Sequence, residues 1–192
     1  MSAFQFKTLT TETFLDFLRA ELPEVFDKVD VDAWIYKPGM PEKKHPLPSK
    51  LFDETVQALR EYEKGKRPAR EQVQGWRRIQ ILTFLSDLPK RISVEDCKYF
   101  EQIFDLEKRN DGAFFSAFYA VCIDSGYKEI LPRVEKYMET IGRRLYILPV
   151  VRALIRADWT RPQVRALVDR VRAKHHPVTV QSMETLLKMA GL

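Results

Sequence analysis

The stretch GAFFSAFYAVCI, residues 112–123, constrains this chain more than any other. As a helix it would carry apolar or small side chains on every side, so it has no face to turn toward water. Such a helix must lie inside, with neighbours on both flanks. A two-layered array of helices supplies that inner position, and the rest of the sequence from residue 50 onward reads as the other members of one.

Helical periodicity marks residues 50–64, 70–87, 93–108, 111–125, 128–141, 146–158, 161–175 and 178–190. In the first, Leu51, Val56, Leu59 and Tyr62 fall on one side; in the third, Val94, Cys97, Phe100 and Phe104 do the same. Boundary residues agree. SVED at 93–96 is a serine start with an acid three residues on, and Gly65, Gly126, Gly142 and Gly191 stand just past helical runs, where a left-handed residue closes a helix. Connections this short force consecutive helices to pack antiparallel. No exact repeat is present, but helices recur about every twenty residues, which suggests a degenerate solenoid. The expected fold is all-α: a two-layered array of antiparallel helix pairs, an armadillo/HEAT-like α-α superhelix, with about eight helices plus an N-terminal arm.

The arm has its own pattern. TTETFLDFLRAEL, 10–22, opens on Thr10 or Thr11 as cap and sets Phe14, Phe17 and Leu18 on one side of a short amphipathic helix that Pro23 ends. Then comes AWIYKPGMPEKKHPLP, 33–48, with four prolines, which composition alone makes a linker. In it Pro38, Gly39 and Pro41 turn and stiffen the chain, and Trp34 and Tyr36 are expected to anchor it on packed surface.

With 192 residues, 45% of them hydrophobic, the chain can bury the core of one domain, or of a domain with an arm. Charged residues at 31% and only seven glycines argue against disorder and against a turn-rich β fold. No apolar run approaches the roughly 18–20 residues that span a bilayer, and MSAFQFKTLTTETF lacks the basic start and apolar centre of a secretory signal. A soluble, cytoplasmic protein with no membrane partner is expected. Cys97 and Cys122 fall in apolar helical patterns without a CxxC spacing and read as reduced, buried small hydrophobes.

Charge is concentrated. Between residues 143 and 174, Arg143, Arg144, Arg152, Arg156, Arg161, Arg165, Arg170, Arg172 and Lys174 face only Asp158 and Asp169, a local balance of +7 where the whole chain carries +5. A solvated helical face is one reading; a surface for nucleic acid, anionic lipid or a peptide carboxylate is the other. The dominance of arginine favours recognition, because its planar fork grips carboxylate or phosphate at two points.

Catalytic signatures are missing. The three histidines, His45, His175 and His176, have no HExxH spacing, and the adjacent pair would diverge by about 100° on a helix. There is no glycine-rich phosphate loop, no GxSxG and no Cys-His constellation. From the residues alone the chain is a helical binding or support domain without catalytic residues, metal site or cofactor of its own.

Several segments together resemble a known family. DKVDVDAWIYKPGMP, 27–41, is similar to the junction at which zinc aminopeptidases of the leukotriene A-4 hydrolase and aminopeptidase B type pass from the catalytic domain into the C-terminal helical domain. FKTLTTETFLDFL, 6–18, is similar to the last helix of that catalytic domain. The run from Asn110 to Ile155 is similar in spacing to the family's central helices, and HHPVT, 175–179, to its closing segment.

The resemblance implies three parts: a remnant of the catalytic domain over 1–32, an interdomain junction over 33–48 carried by Trp34, Tyr36, Pro38, Gly39 and Pro41, and the C-terminal helical-repeat domain over 49–192. It implies a parent metallo-aminopeptidase whose zinc ligands and substrate loop lie upstream, with the catalytic domain and a short peptide as partners, and it sets nucleic acid aside. One site residue carries over. GRRLY, 142–146, is similar to the family's Gly-Arg-x-Lys-aromatic segment, so Arg143 takes the place of the arginine that binds the substrate carboxylate, with Arg144 as the alternative if the register slips by one. Leu145 stands where the family has lysine, which speaks against a lipid-epoxide activity in the parent. Without the resemblance, Arg143 reads as a helix C-terminal arginine bonding free carbonyls. The rival reading of the whole chain is a free-standing helical-repeat scaffold that binds nucleic acid or an acidic protein through 143–174.

Overall fold

A computed structural model describes residues 2–41 and 48–192. The chain forms two compact units, Met1–Pro48 and Ser49–Leu192, and among the described residues every regular element is helical.

The first unit holds a 3-10 turn at Ser2–Phe4 and three short helices: α1 (Thr11–Glu21), α2 (Glu24–Lys28) and α3 (Val31–Tyr36). Thr10 caps α1 by accepting the Thr13 amide at 3.2 Å. Pro23 follows the end of α1 and caps α2, so it separates two helices instead of opening a loop. Asp30 Oδ1 accepts the Ala33 amide at 3.0 Å and starts α3. The tryptophan of the expected linker is therefore helical, because an aspartate cap precedes the prolines. Trp34 and Tyr36 are 49% and 57% exposed, not packed away. Gly39 adopts φ +83° beyond α3, and Pro41 is buried. The rest of the proline-rich stretch, residues 42–47 with His45, lies outside the described residues.

The second unit is the helical array. Its α-helices are α4 (Lys50–Glu63), α5 (Arg70–Gln74), α6 (Arg78–Asp87), α7 (Val94–Ile103), α8 (Gly112–Asp124), α9 (Leu131–Thr140), α10 (Arg144–Arg156), α11 (Arg161–Val171) and α12 (Pro177–Met189). Even-numbered helices pack in sequence, α4 on α6, α6 on α8, α8 on α10 and α10 on α12. The odd-numbered helices form the second layer, with α5 on α7 and α9 on α11. This is the two-layered array of antiparallel pairs that the periodicity predicts.

α8 is its centre. It packs against α6 and α10 within its own layer and against α7 and α9 in the other, most extensively against α10. Phe114, Phe118, Cys122 and Ile123 have essentially no exposed surface. Phe114 stacks on Phe118 with ring centres 5.7 Å apart, and Phe104 meets Phe114 edge-on at the same distance. Each such ring contributes about 1.5–3 kcal/mol by leaving water. Cys97 on α7 and Cys122 on α8 are both buried and free of any disulfide.

Three expectations are corrected. The single helix over 70–87 is two, because Gly75 closes α5 and Trp76 turns inward to lie 5.1 Å from the Phe84 ring. Gln80, itself buried, then accepts the Arg77 amide at 3.0 Å and donates to the Leu51 carbonyl at 3.2 Å, so a side chain starts α6. The array consequently has nine α-helices among the described residues. The segment over 93–108 breaks at Asp105, which takes φ +48° before a 3-10 turn at Leu106–Lys108. Of the four glycines expected in left-handed positions, Gly65, Gly126 and Gly191 adopt them and Gly142 does not.

Since α8 has neighbours on both flanks, truncation within it leaves a cavity that cannot collapse toward solvent. Phe118→Ala is expected to cost about 3–5 kcal/mol, read as a lower urea midpoint at unchanged slope. A loss under about 1 kcal/mol would show that α8 is not packed on both sides.

Candidate functional site

Because alternate helices run parallel, α6, α8 and α10 present their N-termini along one edge of one layer. Each begins with charge. α6 starts at Arg77 and Arg78, α8 at Asp111, and α10 at Arg143 and Arg144.

Asp111 organises the middle of this edge. Its Oδ1 accepts the Ala113 amide at 3.0 Å, capping α8, and the carboxylate receives Arg78 through Nε at 2.6 Å and Nη2 at 3.0 Å. The Arg78 guanidinium foremost, with the helix amides beside it, holds the Asp111 carboxyl below the usual carboxylate range against the opposing effect of burial. Asp111 in turn raises Arg78. On the inner side, Arg109 is half-buried, donates Nε to the Phe104 carbonyl at 2.5 Å and lies 4.6 Å from the Phe114 ring; burial lowers its pKa.

Tyr146 links α8 to α10. A Cβ on Gly112 would come 3.1 Å from its Cδ2, so glycine at 112 is what lets the ring lie against the start of α8. The Tyr146 carbonyl accepts Ser116 Oγ at 2.7 Å and the Tyr137 hydroxyl at 3.3 Å, and Tyr137 also donates to the Gly112 carbonyl at 2.8 Å. The Tyr146 backbone is thus tied to α8 and α9, while its ring lies against the start of α8. Arg143 lies on that ring: Cζ is 4.8 Å from the ring centre and Nη1 donates to the Tyr146 hydroxyl at 3.2 Å.

This corrects the reading of Arg143 as a closing arginine of the preceding helix. α9 ends at Thr140, and Arg143 stands at the N-cap of α10 with its side chain on that helix's first turn. A cation there opposes the helix dipole by about 0.3–1 kcal/mol. Arg144 is exposed on the next position and Leu145 is 63% exposed. Neither Arg143 nor Arg144 has an ion pair among the described residues.

The basic stretch as a whole is mostly neutralised, by partners that sequence order hides. Arg156 grips Asp124 through Nε (2.9 Å) and Nη2. Arg165 meets Asp169 and Glu184, Arg170 meets Glu135 and Lys174 meets Glu139, all at 3.0–3.2 Å, while Arg172 shares Asp169 and Glu184 at 3.6 Å. Arg161 donates to the Ala190 carbonyl. What stays without an acidic partner among the described residues is Arg143, Arg144 and Arg152, at or on α10, and Arg161 at the start of α11. An unbroken cationic face for a nucleic-acid duplex is not formed.

The two described histidines hold the fold. His175 Nε2 bonds the Met138 carbonyl at 2.7 Å, and His176 Nδ1 accepts the Val178 amide at 3.2 Å to cap α12. No group of three or more His, Cys, Asp or Glu among the described residues could hold a metal ion. No helix among them is long and apolar enough to cross a membrane.

Comparison with known proteins places the array. Residues 76–187 match the family described as leukotriene A4 hydrolase, C-terminal. Leucine aminopeptidase 2 of Ajellomyces capsulatus is 23% identical over 185 residues, covering 93% of this chain and 29% of the relative. Leukotriene A-4 hydrolase of Xenopus laevis is also 23% identical, covering 92% of this chain and 30% of the relative. The chain therefore spans about three tenths of the length of these relatives. Among solved structures, native yeast LTA4 hydrolase superposes with a TM-score of 0.74 at 22% identity, over 93% of this chain and 33% of that one, which establishes the likeness of fold.

The Asp111–Arg78 pair generates a pH prediction. A carboxyl whose folded pKa is depressed stabilises above its unfolded value and loses that contribution as pH falls through the folded one. Asp111→Asn is expected to be about 1 kcal/mol less stable than the parent chain at pH 7, with the gap closing below about pH 4. Urea unfolding at pH 7 and pH 3 measures it, and a gap independent of pH would contradict the pairing.

Proposed function

Because the chain belongs to the leukotriene A4 hydrolase C-terminal family, we propose that it is the non-catalytic helical domain of an aminopeptidase, walling the peptide cavity and taking the substrate's carboxylate on Arg143. The reading comprises the domain assignment 1–32, 33–48 and 49–192, with the catalytic domain as partner in a soluble enzyme of the cytoplasm. The zinc that such enzymes use to activate water is placed by this reading on the catalytic domain, and the contribution proposed for this chain is binding and orientation.

One observation carries the proposal: Arg143 is laid on the Tyr146 ring with Nη1 on its hydroxyl and has no acidic partner among the described residues. A guanidinium stacked in this way loses little side-chain freedom on binding, and its remaining N–H donors form the fork that suits a carboxylate. The same contact makes Arg143 the better choice than Arg144, for which no supporting ring or hydrogen bond exists among the described residues. The unfavourable placement of two cations at the start of α10 is offset when an anion docks there. Leu145 supplies no second charge, so a peptide carboxylate held by a single arginine is the ligand the segment fits.

In the complete enzyme, Arg143→Ala is expected to lower kcat/KM for free-acid peptides about 10- to 100-fold, the worth of a charge-assisted pair, and to affect aminoacyl amides much less. Equal losses on both substrate types would sink the carboxylate role, and a larger selective loss in Arg144→Ala would move it by one residue.

A further inference from the structure

Tyr146 has a second face to its role. Tyr146 also lines an open cavity of about 410 Å³ bordered by α6, α8 and α10. Leu82 and Leu85 of α6 form one side, Tyr146 and Pro149 of α10 the other, and Ala113 and Ala117 of α8 the floor. The volume falls within the range of about 300–1,000 Å³ typical of small-ligand sites. Alanines on the floor keep the middle helix from filling the space.

The cavity is lined mostly by apolar side chains, with Lys90 bordering it beyond the C-terminus of α6. Arg143 is not among the lining residues but bonds the hydroxyl of Tyr146, which is. The acid that borders it, Asp124, is already held at two points by Arg156. A ligand entering here leaves water for carbon surface and meets no free negative charge. It must be apolar, and any charge it carries at the Tyr146 end must be an anion.

We infer that this cavity receives the C-terminal side chain of the peptide substrate, an aliphatic or aromatic residue, while the carboxylate of that same residue is held by Arg143. The inference rests on the carboxylate reading of Arg143 given above. Its physical basis is that one residue serves both places: the Tyr146 hydroxyl holds the arginine, and Tyr146 lines the cavity. A carboxylate and the side chain of the same residue branch from one Cα, so the two groups must be received within a few ångströms of one another.

The test compares, in the complete enzyme, the tripeptides Leu-Ala-Phe and Leu-Ala-Ala, each as free acid and as C-terminal amide. The parent enzyme is expected to favour Phe over Ala at the C-terminus by about 10-fold or more in kcat/KM, as filling an apolar pocket does. Ala117→Phe, which occupies the cavity from its floor, is expected to abolish that preference, read as the ratio of kcat/KM for the two free acids within the same variant enzyme. Arg143→Ala is expected to reduce both free acids and spare both amides. No preference in the parent enzyme overturns the inference even if the bulky variant does not fold. A preference that survives Ala117→Phe overturns it too, as does an Ala117→Phe enzyme that loses both peptides equally, which would assign the cavity to packing against another part of the enzyme. Loss of acids and amides alike in Arg143→Ala is a different failure, that of the carboxylate reading itself.

Discussion

Everything in the array follows from the need to bury α8 on both flanks. A helix whose sequence is GAFFSAFYAVCI leaves no side for solvent, and two neighbours in its own layer with two more behind are the arrangement that satisfies it. Once α6 and α10 lie beside α8, the short connections decide direction, and α7 and α9 fill the second layer. Phe84, Phe100, Phe104, Phe114 and Phe118 then form one continuous set of ring contacts through the middle of the unit.

The same packing builds the candidate site. Small residues on α8 at its contacts with α10 do two things at once. Gly112 admits the Tyr146 ring against the helix start, and Ser116 ties the Tyr146 carbonyl from below. Tyr146 is thereby immobilised, and Arg143 acquires a flat surface to lie on. An arginine at a helix N-cap is electrostatically misplaced, so its position reflects what the ring provides and what the guanidinium is free to bind. Further along, Ala113 and Ala117 leave the space between α6 and α10 unfilled.

Charge in this domain is a matter of partners. The run from Arg143 to Lys174 looks strongly basic when read in order, but Glu135, Glu139 and Glu184 come from helices outside it or at its far side and cancel most of it. Among the described residues, Arg143, Arg144 and Arg152 at or on α10 and Arg161 at the start of α11 are the members of the run left without an acidic partner.

The sequence by itself determined the class of fold, because apolar spacing of 3.6 residues, cap residues such as Thr10 and Ser93 and the all-round apolar segment at 112–123 are local properties that survive without knowledge of neighbours. It also showed where the family resemblance lies, since GRRLY and HHPVT are contiguous strings. Tertiary structure alone decided the rest. The break at Gly75 to Arg77 depends on Trp76 finding Phe84 and on Gln80 reaching α4, neither of which is encoded within the segment. The use of His175 on the Met138 carbonyl and the support of Arg143 by Tyr146 against Gly112 both join residues distant in sequence. Periodicity reports which side of a helix is apolar, but which group meets it there is set only when the helices close against one another.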